Sequence, residues 1–186
     1  MLNKAQLRLL AAKAERDAGE AYLRSADEVS FRKLFDLEVY KRAETIFSYV
    51  GVGTEPNTAV IINNALEAGK RVAVPKITGE GTMDAALISS LDELEAGKLG
   101  LIEPSAGYTA AELSERDVII IPAAAFSKRL ERLGRGGGYY DRFLVQSRGI
   151  KIGIGREKLL FDELPTQPHD VGIDVLITEE IIRSRR

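Results

Sequence analysis

The chain of 186 residues contains no cysteine, which excludes disulfides, thiolate nucleophiles and thiolate-bound metals together. It contains one histidine, His169, so no multi-histidine zinc site can form within the chain. That histidine stands in the proline-containing segment Leu164-Pro165-Thr166-Gln167-Pro168-His169-Asp170, and no serine is marked out to complete a Ser-His-Asp arrangement with it. No apolar run reaches the length of a membrane span, and Met1-Leu2-Asn3-Lys4-Ala5-Gln6 lacks a secretory core, so a soluble, cytoplasmic protein is expected. An excess of one charge is also missing. Twenty-six basic residues against 28 acidic ones leave a net charge of −2, which gives no global attraction to nucleic acid. Any anion must therefore be held by a local arrangement. What remains, 45% apolar and 29% charged residues, is an ordinary globular composition for one domain over residues 1–186.

Hydrophobic spacing orders the elements. Leu7, Leu10, Ala11 and Ala14 recur at helical intervals, with Lys4 and Arg8 one turn apart beside them as a positive pair or a solvated edge. Phe31, Leu34 and Phe35 mark a second helix, for which Ser25 or Asp27 is a candidate cap. Short β-rich runs follow at Thr45–Val50, Arg71–Pro75, Val118–Pro122, Lys151–Ile154 and Ile173–Ile177. Between them Thr58–Ala68 reads as a helix stopped by Gly69, Leu91–Ala96 as a short helix, and Lys76–Met83 as a polar loop. Strands alternating with helices predict an α/β sandwich around a mostly parallel sheet. Ligands of such sheets sit beyond the carboxyl ends of the strands, where the loops Gly51–Asn57, Lys76–Met83 and Ser127–Gly138 would converge.

The densest chemistry lies in Arg132-Leu133-Gly134-Arg135-Gly136-Gly137-Gly138-Tyr139-Tyr140-Asp141, between the Val118 strand and a helix that starts near Tyr139. Glycines let backbone N–H groups approach an anion, and the helix N-terminus adds positive partial charge. The run is not a Walker loop, because Tyr139-Tyr140 stand where Lys and Ser or Thr are needed, and its long approach from Ser127 is a poor dinucleotide fingerprint. The tyrosines offer either a flat platform for a heterocycle or core packing. Asp141 suits a magnesium ligand or a first-turn helix residue; Asp170 suits a second carboxylate or a surface turn; Glu55 suits a polar substrate group or a helix dipole.

Taken in order, these segments resemble the 5-formyltetrahydrofolate cyclo-ligase family, also called methenyltetrahydrofolate synthetase. The specific part is Ile121-Pro122-Ala123-Ala124-Ala125-Phe126 followed by Arg132 to Asp141. Weaker matches are Lys4 with Arg8, Glu55-Pro56-Asn57-Thr58, Val74-Pro75-Lys76, Gly100-Leu101-Ile102-Glu103-Pro104, and Leu164-Pro165 with His169-Asp170 and Asp174. Where the family usually has Gly and Leu after the strand proline this chain has Ala123 and Ala124. It has Ser127 for a usual Asp and Leu130 for a usual Gly, which suggests a differently shaped hairpin before Arg132.

The resemblance implies a three-layer α/β sandwich of the kind found in certain sugar-phosphate isomerases and CoA transferases. It implies ATP-dependent closure of 5-formyltetrahydrofolate to 5,10-methenyltetrahydrofolate, with release of ADP and phosphate. ATP would be bound by Lys4, Arg8, Arg132, Leu133, Gly134, Arg135, Gly136, Gly137, Gly138, Tyr139 and Tyr140, and magnesium by Asp141 and Asp170. The reduced folate would meet Glu55, Asn57, Arg135, Gly136, Gly137, Gly138 and Tyr139, with Arg132, Arg135 and Tyr139 taking part in catalysis. Alanine at Arg132 or Arg135 is then expected to cost activity far more than stability. The partners implied are small molecules only, without membrane, nucleic acid or an obligatory protein. The alternatives are a sugar-phosphate isomerase-like or acyl-transferase-like enzyme on the same fold, for which Glu55 is the sole candidate base, or a non-catalytic nucleotide- or folate-binding module.

Overall fold

The computed structural model describes residues 2–97, 100–105 and 107–185. Its helices are α1 (Lys4–Ala18), α2 (Glu20–Asp36), α3 (Glu38–Arg42), α4 (Ala59–Glu67) and α5 (Tyr139–Gln146). Its strands are β1 (Thr45–Ser48), β2 (Arg71–Gly79), β3 (Thr82–Ile88), β4 (Leu94–Ala96), β5 (Ile102–Pro104), β6 (Thr109–Ala110), β7 (Val118–Ile121), β8 (Ala125–Phe126), β9 (Arg132–Leu133), β10 (Ile150–Ile154), β11 (Val175–Ile177) and β12 (Ile182–Ser184).

Thr-Ile-Phe-Ser in β1 and Val-Ile-Ile-Ile in β7 are buried at every position, as strands covered on both faces must be. They lie side by side at the centre of an eight-stranded sheet in the order β12-β11-β10-β7-β1-β2-β3-β6. The inner pairs β10–β11, β7–β10, β1–β7 and β1–β2 are parallel, while β12, β3 and β6 add antiparallel margins. Alternate residues serve alternate faces. Ile46, Val72, Val74, Val118, Ile120 and Ile152 join Phe31 and Leu34 of α2 and Ile61 and Ile62 of α4 on one side. Phe47, Ala73, Ile119 and Ile121 join Leu144 of α5 on the other. The mostly parallel sheet between two helical layers bears out the predicted fold class.

The order of the strands fixes where a ligand can enter. From β1 the chain moves to β2 on one side and later returns to β7 on the other, so the segments after β1 and β7 diverge and leave a crevice between them.

Several expected elements are corrected. Helix α2 begins at Glu20, so Ser25 and Asp27 are interior residues and cap nothing. Asp27 is instead buried, with its two oxygens 2.8 Å from Nε and Nη2 of Arg156. Lys76–Met83 is no loop: β2 continues to Gly79 and folds back into β3 through Gly81, whose φ of 72° supplies the turn. Leu91–Ala96 is a single 3-10 turn followed by β4, because Glu93 folds back to accept from the Ser89 and Ser90 amides and closes the turn locally. In the N-terminal stripe, Leu7 and Ala11 are buried but Leu10 is exposed.

The hairpin before Arg132 pairs β8 with β9. Leu130 holds φ at 64° in its turn, the only non-glycine with positive φ among the described residues. This costs about 1–2 kcal/mol, offset by burial of the Leu130 side chain against Ile173 and Leu176. The departure from the family's glycine is thus accommodated by a leucine in a glycine-like backbone conformation.

Candidate active site

Helix α1 starts at Lys4 because Asn3 and Gln6 form a reciprocal cap, each side chain bonding the other's backbone N–H at 2.9–3.0 Å. Lys4 and Arg8 then project from one face, one turn apart. Across the crevice, Gly134–Gly138 links β9 to α5, with φ of 110° at Gly136 and 68° at Gly138, conformations that a side chain would strain. The N-terminus of α5 has no side-chain cap. Arg8 steadies the loop from outside, its Nε donating to the Gly134 carbonyl at 2.7 Å.

This glycine strip separates two cavities. The first, of about 320 Å³, is mainly apolar. Tyr49, Val50 and Glu55 reach it from beyond β1, Pro75, Ile77 and Met83 from the β2–β3 hairpin, and Leu101 and Ile102 from beside β5. Pro122, Arg132, Arg135, Tyr139 and Tyr140 complete it. The second, of about 420 Å³, is lined by Lys4, Arg8, Arg142, Gln167, His169 and Asp170, with Leu133, Gly136 and Val145. Gly134, Gly137, Gly138 and Asp141 belong to both walls.

The three segments expected to converge do so, although the middle one is a hairpin. Both tyrosines, expected at the nucleotide, face the apolar cavity. Asn57 is exposed and lines neither cavity; its carbonyl accepts from Val60 at the start of α4. Ile77, Met83 and Gln167 carry no chemical signature in the sequence and become visible only as walls.

The charged groups are arranged in pairs. Lys4 Nζ lies 2.5 and 2.8 Å from the two oxygens of Asp170, so the expected solvated edge is an ion pair. Burial pushes the Asp170 carboxyl up, but Lys4, the Gln167 N–H and His169 together outweigh it and hold the pKa below the usual value. Arg132, with 2% of its side chain exposed, donates to Asp141 at 2.5 Å and reaches the Val171 and Pro122 carbonyls at 3.3 and 3.5 Å. Arg135, whose side chain is 64% exposed, pairs with Glu55, which also accepts from the Val52 N–H at 2.9 Å. The Tyr140 hydroxyl is buried without a hydrogen-bond partner among the described residues. Burial first and Glu55 second push its pKa far up, and the same two causes raise that of Tyr49, so both remain neutral.

Among the described residues no group of three His, Cys, Asp or Glu side chains is poised to hold a metal. Asp141 and Asp170 nevertheless line one cavity. Two carboxylates beside a glycine loop fit magnesium, which takes one or two protein carboxylates and completes its shell with phosphate and water. No helix among the described residues is long and apolar enough to cross a membrane.

A mostly parallel α/β sheet whose switch-point crevice is split by a glycine strip into an apolar and a charged chamber defines the class of this protein. Residues 2–179 match the 5-formyltetrahydrofolate cyclo-ligase family, and the chain belongs to that family. It is 33% identical over 186 residues to the 5-formyltetrahydrofolate cyclo-ligase of Mycolicibacterium smegmatis, covering 95% of this chain and 93% of that one. It is 30% identical over 142 residues to the enzyme of the same name from Escherichia coli, covering 73% and 78%. The solution structure of Aquifex aeolicus 5,10-methenyltetrahydrofolate synthetase is similar with a TM-score of 0.86 and 28% identity, over 98% of this chain and 93% of that one. A Mycoplasma pneumoniae 5,10-methenyltetrahydrofolate synthetase, at 22% identity and a TM-score of 0.75 over 96% and 99%, shares the fold.

Proposed function

We propose that this protein, as a single domain spanning residues 1–186, closes 5-formyltetrahydrofolate to 5,10-methenyltetrahydrofolate at the expense of ATP. The observation that carries this reading is the glycine strip, which gives an apolar and a charged chamber a common wall. A reaction that moves a phosphoryl group between two substrates needs adjoining sites that let the attacking oxygen touch the γ-phosphorus in line, and positioning supplies much of the rate.

The formyl oxygen attacks the γ-phosphorus of ATP; the bond to the β–γ bridging oxygen breaks and ADP leaves. The phosphorylated formyl group is an imidate-like electrophile. The neighbouring folate nitrogen attacks its carbon and gives up a proton, phosphate departs with the former formyl oxygen, and the five-membered ring closes. Lys4, Arg8 and the N–H groups of Gly136, Gly137 and Gly138 bind the triphosphate. Leu133 and Gly134 form the base of that chamber. Magnesium held by Asp141 and Asp170 would neutralise phosphate charge during transfer.

Glu55 accepts from the folate's N–H groups, the Tyr139 ring gives its heterocycle a flat wall, and the Tyr140 hydroxyl is a donor unpartnered among the described residues and buried behind the same wall. Arg135 is the exposed cation of the strip and leaves Glu55 to meet the transferring phosphoryl group. Arg132, buried beneath, holds Asp141 in place.

Incubation with 5-formyltetrahydrofolate, ATP and magnesium, each omitted in turn, tests the reading through the absorbance of the methenyl product. Signal only with all three supports it, and folate turnover without ATP, or none with the complete mixture, refutes it.

A further inference from the structure

Arg142, on the second turn of α5, carries no role in the reaction described so far. Its guanidinium joins two separate segments: Nε donates to the Gly81 carbonyl at the tip of the β2–β3 hairpin at 2.6 Å, and Nη2 donates to the Gly137 carbonyl at 2.7 Å. Its central carbon lies 5.7 Å from the centroid of the Tyr139 ring. The slot it occupies exists because two residues have no side chain. A Cβ on Gly81 would stand 2.2 Å from Nη2, and a Cβ on Gly138 would stand 2.9 Å from Nη1. Both glycines also hold left-handed backbone, with φ of 72° and 68°.

From these contacts we infer that Arg142 is a positioning residue that latches the β2–β3 hairpin to the glycine strip and so keeps two walls of the apolar chamber in register for the folate. The hairpin brings Ile77 and Met83 to that chamber, and the strip brings Gly137, Gly138 and Tyr139. A planar fork that bonds two carbonyls on different segments sets the distance between them; the single ammonium of a lysine on a flexible stem does not. The assignment of the occupant rests on the cyclo-ligase reading, whereas the latch itself does not.

The test compares Arg142→Ala, Arg142→Lys and Gly81→Ala with the wild type. Gly81→Ala attacks the latch from the hairpin side, away from the charged chamber, and serves if the Arg142 variants fold poorly. The expected result is a KM for 5-formyltetrahydrofolate raised on the order of tenfold, the factor that goes with losing one charge-assisted hydrogen bond. The KM for ATP should move far less, and Lys should fail to restore the wild-type value. Amide hydrogen exchange over residues 78–83 should quicken in each variant without any ligand present, which keeps the latch testable even if the wild type proves inactive on this folate. A rise in the ATP KM alone would make Arg142 a phosphate ligand instead. Full rescue by Lys, or hairpin exchange unchanged in all three variants, would overturn the latch.

Discussion

Replacing Arg132 by alanine should unfold the protein more readily, whereas the same change at Arg135, three residues along, should not. The Arg132 side chain is 2% exposed and its partner Asp141 19% exposed. Without the guanidinium, Asp141 keeps a single N–H donor, that of Val171 at 3.1 Å, and the Val171 and Pro122 carbonyls lose a donor. Removing one partner of a buried ion pair costs about 3–5 kcal/mol, and the residual exposure of Asp141 argues for the lower end. For a chain of this length that is a fall in melting temperature of roughly 6–12 °C. Arg135 lies in water and its pairing with Glu55 contributes at most about 1 kcal/mol. Its loss should leave the melt nearly unchanged and lower turnover by on the order of 10³-fold if it meets the transferring phosphoryl group. The sequence alone led to the expectation that alanine at either position costs activity far more than stability; the burial of Arg132 predicts a large stability cost there and a small one at Arg135. Paired thermal melts and initial rates decide the matter. An Arg132→Ala protein that melts within about 2 °C of the wild type would refute the ion-pair reasoning.

Turnover should stop in excess chelator, and Asp141→Asn, which leaves the buried Arg132 guanidinium without its carboxylate, should melt below the wild type as well as need more magnesium; wild-type magnesium dependence in both Asp141→Asn and Asp170→Asn would remove the metal from these carboxylates. Because Asp170 has a lowered pKa in the fold, its contribution to stability is complete above the ordinary carboxylate range and is lost as pH falls through the lowered value. The deficit of Asp170→Asn measured by denaturant melts should thus be constant between about pH 6 and 8 and shrink below about pH 4, and a deficit that grew in acid would contradict this. Tyr140→Phe removes a buried hydroxyl that has no partner, so the free protein should be as stable or up to about 1 kcal/mol more stable. If the hydroxyl donates to the folate, the variant's affinity for it should weaken, and equal affinity would assign the ring to packing alone.

The centre of the sheet was legible because β1 and β7 are short runs of β-branched and aromatic residues, a pattern that comes from burial on both faces. The β2–β3 hairpin was not, because Lys76 and Thr78 break the apolar run even though the strand continues past the edge of the core. The glycine strip announced itself through composition. The burial of its neighbour Arg132 was not legible, because it depends on α5 turning back to bring Asp141 against the guanidinium. The ion pair of Lys4 with Asp170, 166 residues apart, has no local signature at all and was not foreseen; likeness to a family gave the two residues only separate roles, one at ATP and one at magnesium.

The wall between the two chambers is a single backbone thick. A side chain at Gly134, Gly137 or Gly138 would press on Arg132 at 3.1 Å, the Tyr139 ring at 2.9 Å or Arg142 at 2.9 Å, so this stretch cannot change without moving a neighbour that lines one chamber or the other. Under the proposed function, divergence in what the protein accepts is left to the outer rims: Ile77, Met83, Leu101 and Ile102 on the apolar side, and Val145, Gln167 and His169 on the charged side. The partition sets the layout of both chambers, and the rims are where a new specificity can be written.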